Sequence, residues 1–308
     1  MLHNLSYTKK SSMSKHKDQH YIPQSYLKAW TDPDTPPKYE PYVWMFEKET
    51  KEPKKKAPSN IFHENNMYTI YDKNGNRDLR LEHGLSELEG SFSELRDKTI
   101  SKQEKLNKDQ HFLLCAFIAA MWARTRVQRE HLRNQWERPL NLMRQMKKQW
   151  DEADEEERKK LSNMPKPPTI TDNGLPMSEV EKIVENPLQE MLEAMVSATT
   201  PLLAKIDCLI FTTDHEVGFT TSDAPCIWAD PKSYERRPFN RAPALMYETI
   251  EITFPISPNA CVLLNRQSLN GYRKANFHEL SEINRRTNGN CGEYFVARKK
   301  DLEEQWLV

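Results

Sequence analysis

The chain has 308 residues, enough for one large domain or two smaller ones, and its 37% hydrophobic and 29% charged residues are typical of a globular chain with a hydrated surface. Its 45 Lys and Arg balance its 45 Asp and Glu, so no overall basic field favours nucleic acid, and any such contact must come from local patches. No apolar run approaches the roughly 20 residues of a membrane helix, so we expect no membrane contact. The first residues lack the apolar core of a signal peptide, and the five scattered cysteines contain no C-x-x-C pair. We therefore expect a cytoplasmic protein with reduced thiols.

The first informative stretch, HKDQHYIPQSYLKAW, follows a predicted disordered tail at residues 1–15. His16 and His20 have metal-pair spacing, but no H-E-x-x-H pattern joins them. A helix beginning at Pro23 would point its free N–H groups back toward His20 and Tyr21 and could place the imidazole beside a bound anion. The alternative is that His20 and Tyr21 are structural hydrogen-bonding residues.

Strand and turn patterns come next. Residues 42–48 are rich in aromatic and β-branched residues and predict a strand, and a hairpin is predicted around the Asn-Gly pair at 74–75. Apolar residues then recur at helical spacing from Leu81 to Leu95 and predict an amphipathic helix.

Two glutamates of this helix, Glu82 and Glu89, lie seven residues apart on the margin of its apolar stripe. Two carboxylates on one half-buried edge could hold a divalent cation or act in acid/base chemistry. The alternative is an ordinary pair of boundary residues that meet Lys or Arg.

Residues 107–150 are predicted to form one long helix, kinked at Pro139, that projects from the body and could join two copies of the chain. Arg124 falls on its apolar stripe, whereas Arg126, Arg129 and Arg133 fall on the opposite, solvated face. A buried guanidinium needs a partner, which is either a carboxylate such as Glu82 or Glu89, or a substrate phosphate.

The rest of the chain determines the predicted fold class. A charged insertion at 151–176 precedes a helix or helix pair, and short β runs dominate from 206 to 308. The strands are grouped and do not alternate with helices, so we predict an α+β fold with a mixed or antiparallel β-rich core and a long protruding helical segment. Residues 16–298 form the predicted domain, and 105–205 are its mainly helical segment.

The sequence FTTSDAP places Ser222 and Asp223 in a passage from strand to turn. Asp223 is interpreted as a carboxylate held at a strand end and facing a pocket. The alternative is that both side chains bond their own backbone, as such residues often do in turns. Ser222 is not in a G-x-S-x-G context, so a serine hydrolase is not indicated.

The motifs HYIPQSYLKAW, EHGLSELEG, FTTSDAP and FPISPN occur here in one order, and this order resembles the bacterial family called domain of unknown function 4238. The signature of that family has two histidines before the tyrosine, and Gln19 replaces the first of them here. The resemblance covers residues 16–298 and implies a fold grouping, a bacterial or phage origin and a cytosolic location, but no reaction.

Three functions follow as hypotheses. The first is a metal-assisted hydrolase of phosphoesters, such as a nuclease, with a divalent cation as cofactor. The second is a non-catalytic or toxin-like module that binds an anion or nucleotide, and the third is a helical assembly protein with a structural polar cluster. The candidate catalytic residues are His20, Glu82, Glu89 and Asp223, with Glu82 and Glu89 as metal ligands, and the candidate substrate-binding residues are Arg124, Tyr21, Gln24 and Ser222.

Overall fold

The structure is a computed structural model that describes residues 18–71, 74–162 and 174–307. The predicted tail at 1–15, His16 and residues 163–173 of the predicted insertion lie outside these described residues. The helices are α1 (Gln24–Leu27), α2 (Arg80–Lys98), α3 (Lys108–Ala123), α4 (Arg126–Glu152), α5 (Glu155–Ser162), α6 (Met177–Glu185), α7 (Pro187–Leu203) and α8 (Phe277–Gly289). The strands are β1 (Asp18–His20), β2 (Val43–Glu47), β3 (Pro53–Lys56), β4 (His63–Asn65), β5 (Ile70–Tyr71), β6 (Arg77–Asp78), β7 (Asp207–Thr212), β8 (Thr221–Ser222), β9 (Ile227–Ala229), β10 (Glu251–Ser257), β11 (Ala260–Asn265), β12 (Gly271–Lys274) and β13 (Tyr294–Ala297).

The strands are grouped as predicted, and the α+β fold class is confirmed. A five-stranded sheet has the order β12-β7-β11-β10-β9, and a four-stranded sheet has the order β3-β2-β13-β8. All the strand pairs are antiparallel except β12 with β7. Strands β2 and β3 come from the N-terminal part and complete a sheet with the C-terminal β8 and β13. Two small pairs, β1 with β4 and β5 with β6, stand apart from both sheets.

The five-stranded sheet is buried on both faces. Ile210, Val262 and Leu264 point into a large core shared with α1, α2, α3 and α7. Their neighbours Leu209 and Leu263 point into a second core, built with β13, α8 and Trp306. Burial on both faces explains why β7 and β11 are continuous apolar runs without a polar alternation.

The predicted single helix over 107–150 is wrong. The chain breaks at Thr125, which takes an extended backbone (φ −73°, ψ 158°) and whose hydroxyl accepts the Gln128 N–H at 3.2 Å. This hydroxyl cap begins α4 as a new helix. Pro139 lies inside α4 without ending it. The two helices therefore have independent directions and no common apolar stripe.

Gly218 marks a tight approach between two chain segments. Its φ is +71°, and an L-amino-acid Cβ there would lie 2.0 Å from the carbonyl oxygen of Pro258. The approach lets the Phe219 N–H donate to that same oxygen at 2.8 Å. Glycine is required here because both the dihedral angle and the space exclude a side chain.

Within the described residues, no helix has the length and apolar character needed to cross a bilayer.

Candidate functional site

A polar cleft of about 430 Å³ lies between the segment β1–α1 and helix α2, with the end of α3 at its base. It brings together five of the residues proposed from the sequence: His20, Gln24, Glu82, Glu89 and Arg124. The remaining lining residues are Asp18, Gln19, Pro23, Ser25, Lys28, Tyr68, His83, Leu85 and Ser86.

One wall of the cleft is the β1–α1 segment. Strand β1 pairs antiparallel with β4, which sets His20 opposite His63. Helix α1 begins after Pro23 as expected from the sequence, but it has four residues before the chain tightens into a 3₁₀ turn. So short a helix has little dipole, and the expectation of an anion beside its N-terminus stays a prediction.

Gln19 occupies the position between this wall and α2. Its side-chain amide donates to Thr69 Oγ1 at 2.8 Å and to Glu82 Oε1, while its oxygen accepts the Tyr68 N–H at 2.6 Å. Only an amide offers donor and acceptor atoms in this arrangement without a charge. The sequence marks Gln19 only as a departure from the family signature and does not predict this bridging role.

His20 presents its Nε2 to two groups in this cleft. This nitrogen lies 3.2 Å from the carbonyl oxygen of Ser59 and 3.4 Å from the side-chain nitrogen of Gln24, so the ring either donates to Ser59 or accepts from Gln24. The His63 ring lies 5.1 Å away, centroid to centroid. Burial, and next the nearby His63, lower the pKa of His20, although Glu89 and Asp18 act in the opposite direction. The imidazole is therefore neutral near pH 7.

The opposite wall is one face of α2. Glu82, Leu85 and Glu89 follow at spacings of three and four residues, which place them on one side of the helix. Glu82 meets Gln19 and the Arg77 guanidinium, the latter at 3.3 Å, and Glu89 meets Arg124.

The two glutamates do not form a metal site by themselves. Seven residues of helix separate them by about 10 Å along the axis, whereas oxygen ligands lie within about 2.6 Å of a shared calcium ion. Among the described residues, no group of three or more His, Cys, Asp or Glu side chains is placed to hold a metal ion. Both carboxylates have cationic partners instead.

Arg124 at the base of the cleft is the most unusual side chain of the site. It is 1% exposed, and its Nη1 donates to Glu89 Oε1 at 2.7 Å. Its Nη2 meets the thioether sulfur of Met121 at 3.2 Å, a weak acceptor, and its buried Nε–H has no acceptor among the described residues. A buried donor without an acceptor costs free energy, so this guanidinium has unused capacity for an anion.

The predicted solvent stripe of Arg126, Arg129 and Arg133 is wrong, because the helix breaks before it. Arg126 and Arg129 both bind Glu64, and the Arg126 guanidinium also lies over the Tyr21 ring at 5.7 Å. These contacts fix the start of α4 against β4. Arg126 is therefore a structural residue and not the inert neighbour of Arg124 that the single-helix pattern implied.

Tyr21, Ser222 and Asp223 do not line the cleft. Tyr21 is buried against Phe62. Ser222 accepts the Ala224 N–H at 3.2 Å, as in the alternative interpretation of a turn that bonds its own backbone.

Asp223 accepts backbone N–H groups from three consecutive residues of the approach to β13: Gly292 at 2.7 Å, Glu293 at 2.7 Å and Tyr294 at 3.1 Å. It therefore binds β8 to β13 and does not face a pocket. Burial raises the pKa of this carboxyl even though the three donors favour its charged form.

The two end motifs meet through residues that sequence analysis did not select. The Tyr26 hydroxyl lies 2.6 Å from Thr221 Oγ1 and donates to the Pro255 carbonyl oxygen, also at 2.6 Å. The Trp30 Nε1–H donates to the Phe219 carbonyl oxygen at 2.8 Å. Both rings are fully buried. The motifs are adjacent because they share a core, and the aromatic spacing in SYLKAW was the available signal.

Two further clefts flank this region. One of about 430 Å³ lies on the other side of α2, has a largely apolar lining and shares Leu85 with the first. A larger cleft of about 750 Å³ is lined by charged side chains that already have partners, such as Lys274 with Asp214 and Arg96 with Asp97. Among the residues that the structure describes, neither cleft is lined by a buried cation with an unused donor, so we take the first cleft as the candidate functional site.

The family model described as "Protein of unknown function (DUF4238)" matches residues 18–301. This match covers most of the chain and every residue of the cleft, and the protein belongs to that family. Searches of the curated proteins and of the solved structures found no match.

Proposed function

We propose that the cleft binds a small anionic ligand, such as a compound with a terminal phosphate, and that Arg124 is its anchor. The observation that carries the proposal is the buried guanidinium of Arg124, which among the described residues has a single carboxylate partner and an Nε–H without an acceptor. A guanidinium in a low-dielectric site binds phosphate or carboxylate oxygens strongly, because water competes weakly there.

The other lining residues support a compact polar ligand. Lys28 is exposed at the rim, and Gln24 and His20 offer hydrogen-bonding groups on the β1–α1 wall. The Glu89 carboxylate accepts from one of the three guanidinium nitrogens of Arg124. An incoming anion then shares Arg124 with Glu89 or displaces it.

Two substitutions with opposite expected effects test this proposal. Glu89→Gln removes the internal competitor and should tighten the binding of pyrophosphate or AMP in calorimetric titrations. Arg124→Lys keeps the charge but loses the planar fork and should weaken binding by at least about tenfold. If Glu89→Gln weakens ligand binding, or if only a divalent cation binds and Glu89→Gln abolishes that, the anion proposal is wrong. Lys205→Gln, which changes a residue outside the cleft lining, is the control.

A second candidate is hydrolysis of a phosphoester in the same cleft. It is favoured by His20, which lines the cleft and whose imidazole is neutral near pH 7 because burial lowers its pKa. Such an imidazole can take a proton from an attacking water near pH 7. In this version Arg124 neutralises charge on the phosphoryl group. Release of phosphate or nucleotide that is lost in His20→Gln, with AMP binding retained, would support it.

The metal-assisted form of this reaction needs a cation held by Glu82 or Glu89 together with groups of the substrate. Glu82 is paired with Arg77 and Glu89 with Arg124, so a cation that binds either carboxylate would have to replace its ion pair. Titration of Mg²⁺ and Mn²⁺ in the presence and absence of AMP tests this form directly. A bacterial, cytoplasmic setting, in line with five free cysteines, belongs to the same proposal.

A further inference from the structure

The second half of α4 presents a row of large apolar side chains to solvent. Leu142, Met146 and Trp150 are 57%, 61% and 44% exposed. They recur every four residues, so they lie on nearly the same side of the helix. A contiguous exposed apolar row marks an interaction surface more often than scattered single residues do.

The described neighbours of α4 pack on a different side of it. Leu140 is buried, and Arg144 reaches Glu181 of α6 at 3.1 Å. At 100° per residue, Leu140 and Arg144 point about 120° to 160° away from Met146. Helix α6 therefore leaves the row of Leu142, Met146 and Trp150 uncovered.

We propose that this row joins two copies of the chain through antiparallel contact of their α4 helices, centred on Met146. Leu142 of one copy then packs against Trp150 of the other, and the two Met146 side chains meet at the twofold axis. The contact is isologous, as expected for a symmetric dimer. It is independent of the proposed anion site, whose lining contains no residue of α4.

The charge distribution along the chain favours a second copy in this orientation over other partners. The first part of α4, residues 126–138, contains four arginines and two glutamates. Residues 151–157, just beyond the row, contain six carboxylates. Antiparallel contact brings the arginine-rich first part of one α4 toward the carboxylate-rich segment at the end of the other. A parallel contact would place like charges together at both ends, which is unfavourable.

The size of the surface sets the expected affinity. The row from Leu142 to Trp150 is about 12 Å long, and all of α4 is about 40 Å. A single helix pair of that length buries less than the roughly 800 Å² per partner of a standard interface. We therefore expect a reversible dimer with a dissociation constant on the order of micromolar.

Sedimentation of the full chain over about a hundredfold range of concentration measures this equilibrium. The wild type should shift from monomer to dimer, and Met146→Glu should raise the dissociation constant by at least about tenfold. Asn141→Glu adds the same charge on an exposed position of another side of α4 and should leave the dimer intact. Circular dichroism and cooperative thermal unfolding verify that each variant is folded. A wild type that stays monomeric, or a dimer unaffected by Met146→Glu, overturns the proposal.

Single cysteines test the orientation. Met146→Cys should form a disulfide-linked dimer under mild oxidation, with the wild type as the background control for the native cysteines. Leu142→Cys should not, because two such residues in an antiparallel pair are about 12 Å apart along the axis, beyond the roughly 7 Å that a disulfide spans. Mixing Leu142→Cys with Trp150→Cys should restore the cross-link. Efficient self-linking of Leu142→Cys would overturn the antiparallel arrangement.

Discussion

Burial of the Arg124 charge costs free energy of folding, and the same buried charge is the basis of the proposed anion site. Its charge is buried beside Glu89, which is 25% exposed on its side chain, so the pair is only partly desolvated. Breaking a buried pair leaves the other charge uncompensated, and this costs more than the intact pair contributes.

Arg124→Ala should lower the free energy of unfolding by about 3 kcal/mol, at the lower end for buried pairs because Glu89 retains contact with water. Urea denaturation measures this. The control is Arg237→Ala, which removes an exposed arginine outside α4 and should stay within about 0.5 kcal/mol. Arg126→Ala is not a suitable control, because Arg126 binds Glu64. Equal stability of the Arg124 and Arg237 variants would show that Arg124 is not buried as described.

The lowered pKa of His20 makes a prediction about acid sensitivity. Above the ordinary histidine value of 6.5, both folded and unfolded states hold this ring neutral, so it adds no pH dependence. As pH falls below that value, His20 becomes protonated in the unfolded chain but stays neutral in the folded protein, where its pKa is lower. The free energy of unfolding then falls by up to about 1.4 kcal/mol per pH unit until the lowered pKa of the folded state is reached.

His20→Gln should therefore flatten the decline of stability between pH 6.5 and more acidic values. His131→Gln makes the same change at an exposed position of α4 and should leave the slope as it is in the wild type. Urea denaturation at a series of pH values gives both slopes. A slope that does not change in His20→Gln would mean that the folded protein protonates this ring as readily as the unfolded chain does.

At the scale of elements, the boundary between α3 and α4 decides where the cations point. The helix-favouring sequence of 107–150 carries no information about the one residue where the axis changes direction. The Thr125 hydroxyl supplies that information, since threonine at a helix start satisfies an N–H that the helix cannot. With the break, Arg124 turns to α2 while Arg126 and Arg129 turn to β4.

Thr125→Ala should destabilise the protein by about 1 kcal/mol, because the Gln128 N–H loses its acceptor. Thr125→Ser keeps the hydroxyl and should lose much less. Thermal melts followed by circular dichroism compare the two variants. If both melt alike, the hydroxyl cap contributes little and packing alone positions the start of α4.

Secondary structure and the cleft walls were predictable to different extents. The amphipathic spacing from Leu81 to Leu95 predicts α2 and the side of Glu82 and Glu89, because helical periodicity is local. The antiparallel pairing that places His20 beside His63 joins residues 43 positions apart, and no periodic pattern in the sequence reports such a contact. The role of Asp223 was misassigned for the same reason, since its three N–H partners lie about 70 residues away.

At the scale of the molecule, the end of the chain completes the second core. Trp306 is fully buried, its Nε1–H donates to Ser281 Oγ at 2.9 Å, and Asn288 donates to its carbonyl oxygen at 2.9 Å. This residue lies beyond the matched family region, which ends at 301. The C-terminal segment is thus part of the folding unit even though the family model does not include it.

Trp306→Ala should lower the free energy of unfolding by about 3 to 5 kcal/mol, as expected for removal of a buried aromatic ring. Phe239→Ala removes an aromatic side chain that is 76% exposed and should change stability by less than about 0.5 kcal/mol. Differential scanning calorimetry of the two variants measures the contrast. Similar melting of both would place Trp306 outside the cooperative core.

The close approach at Gly218 has a consequence for how this sequence can vary. An L-residue of any size would drive its Cβ into the Pro258 carbonyl, and no rotamer relieves a clash made by the first side-chain atom. In a library holding all twenty amino acids at position 218, selection for folded protein should return glycine almost alone. A D-alanine introduced there by chemical ligation would suit the positive φ and project its methyl group in the other direction. Mutational tolerance at this position is therefore set by chirality and not by polarity or volume.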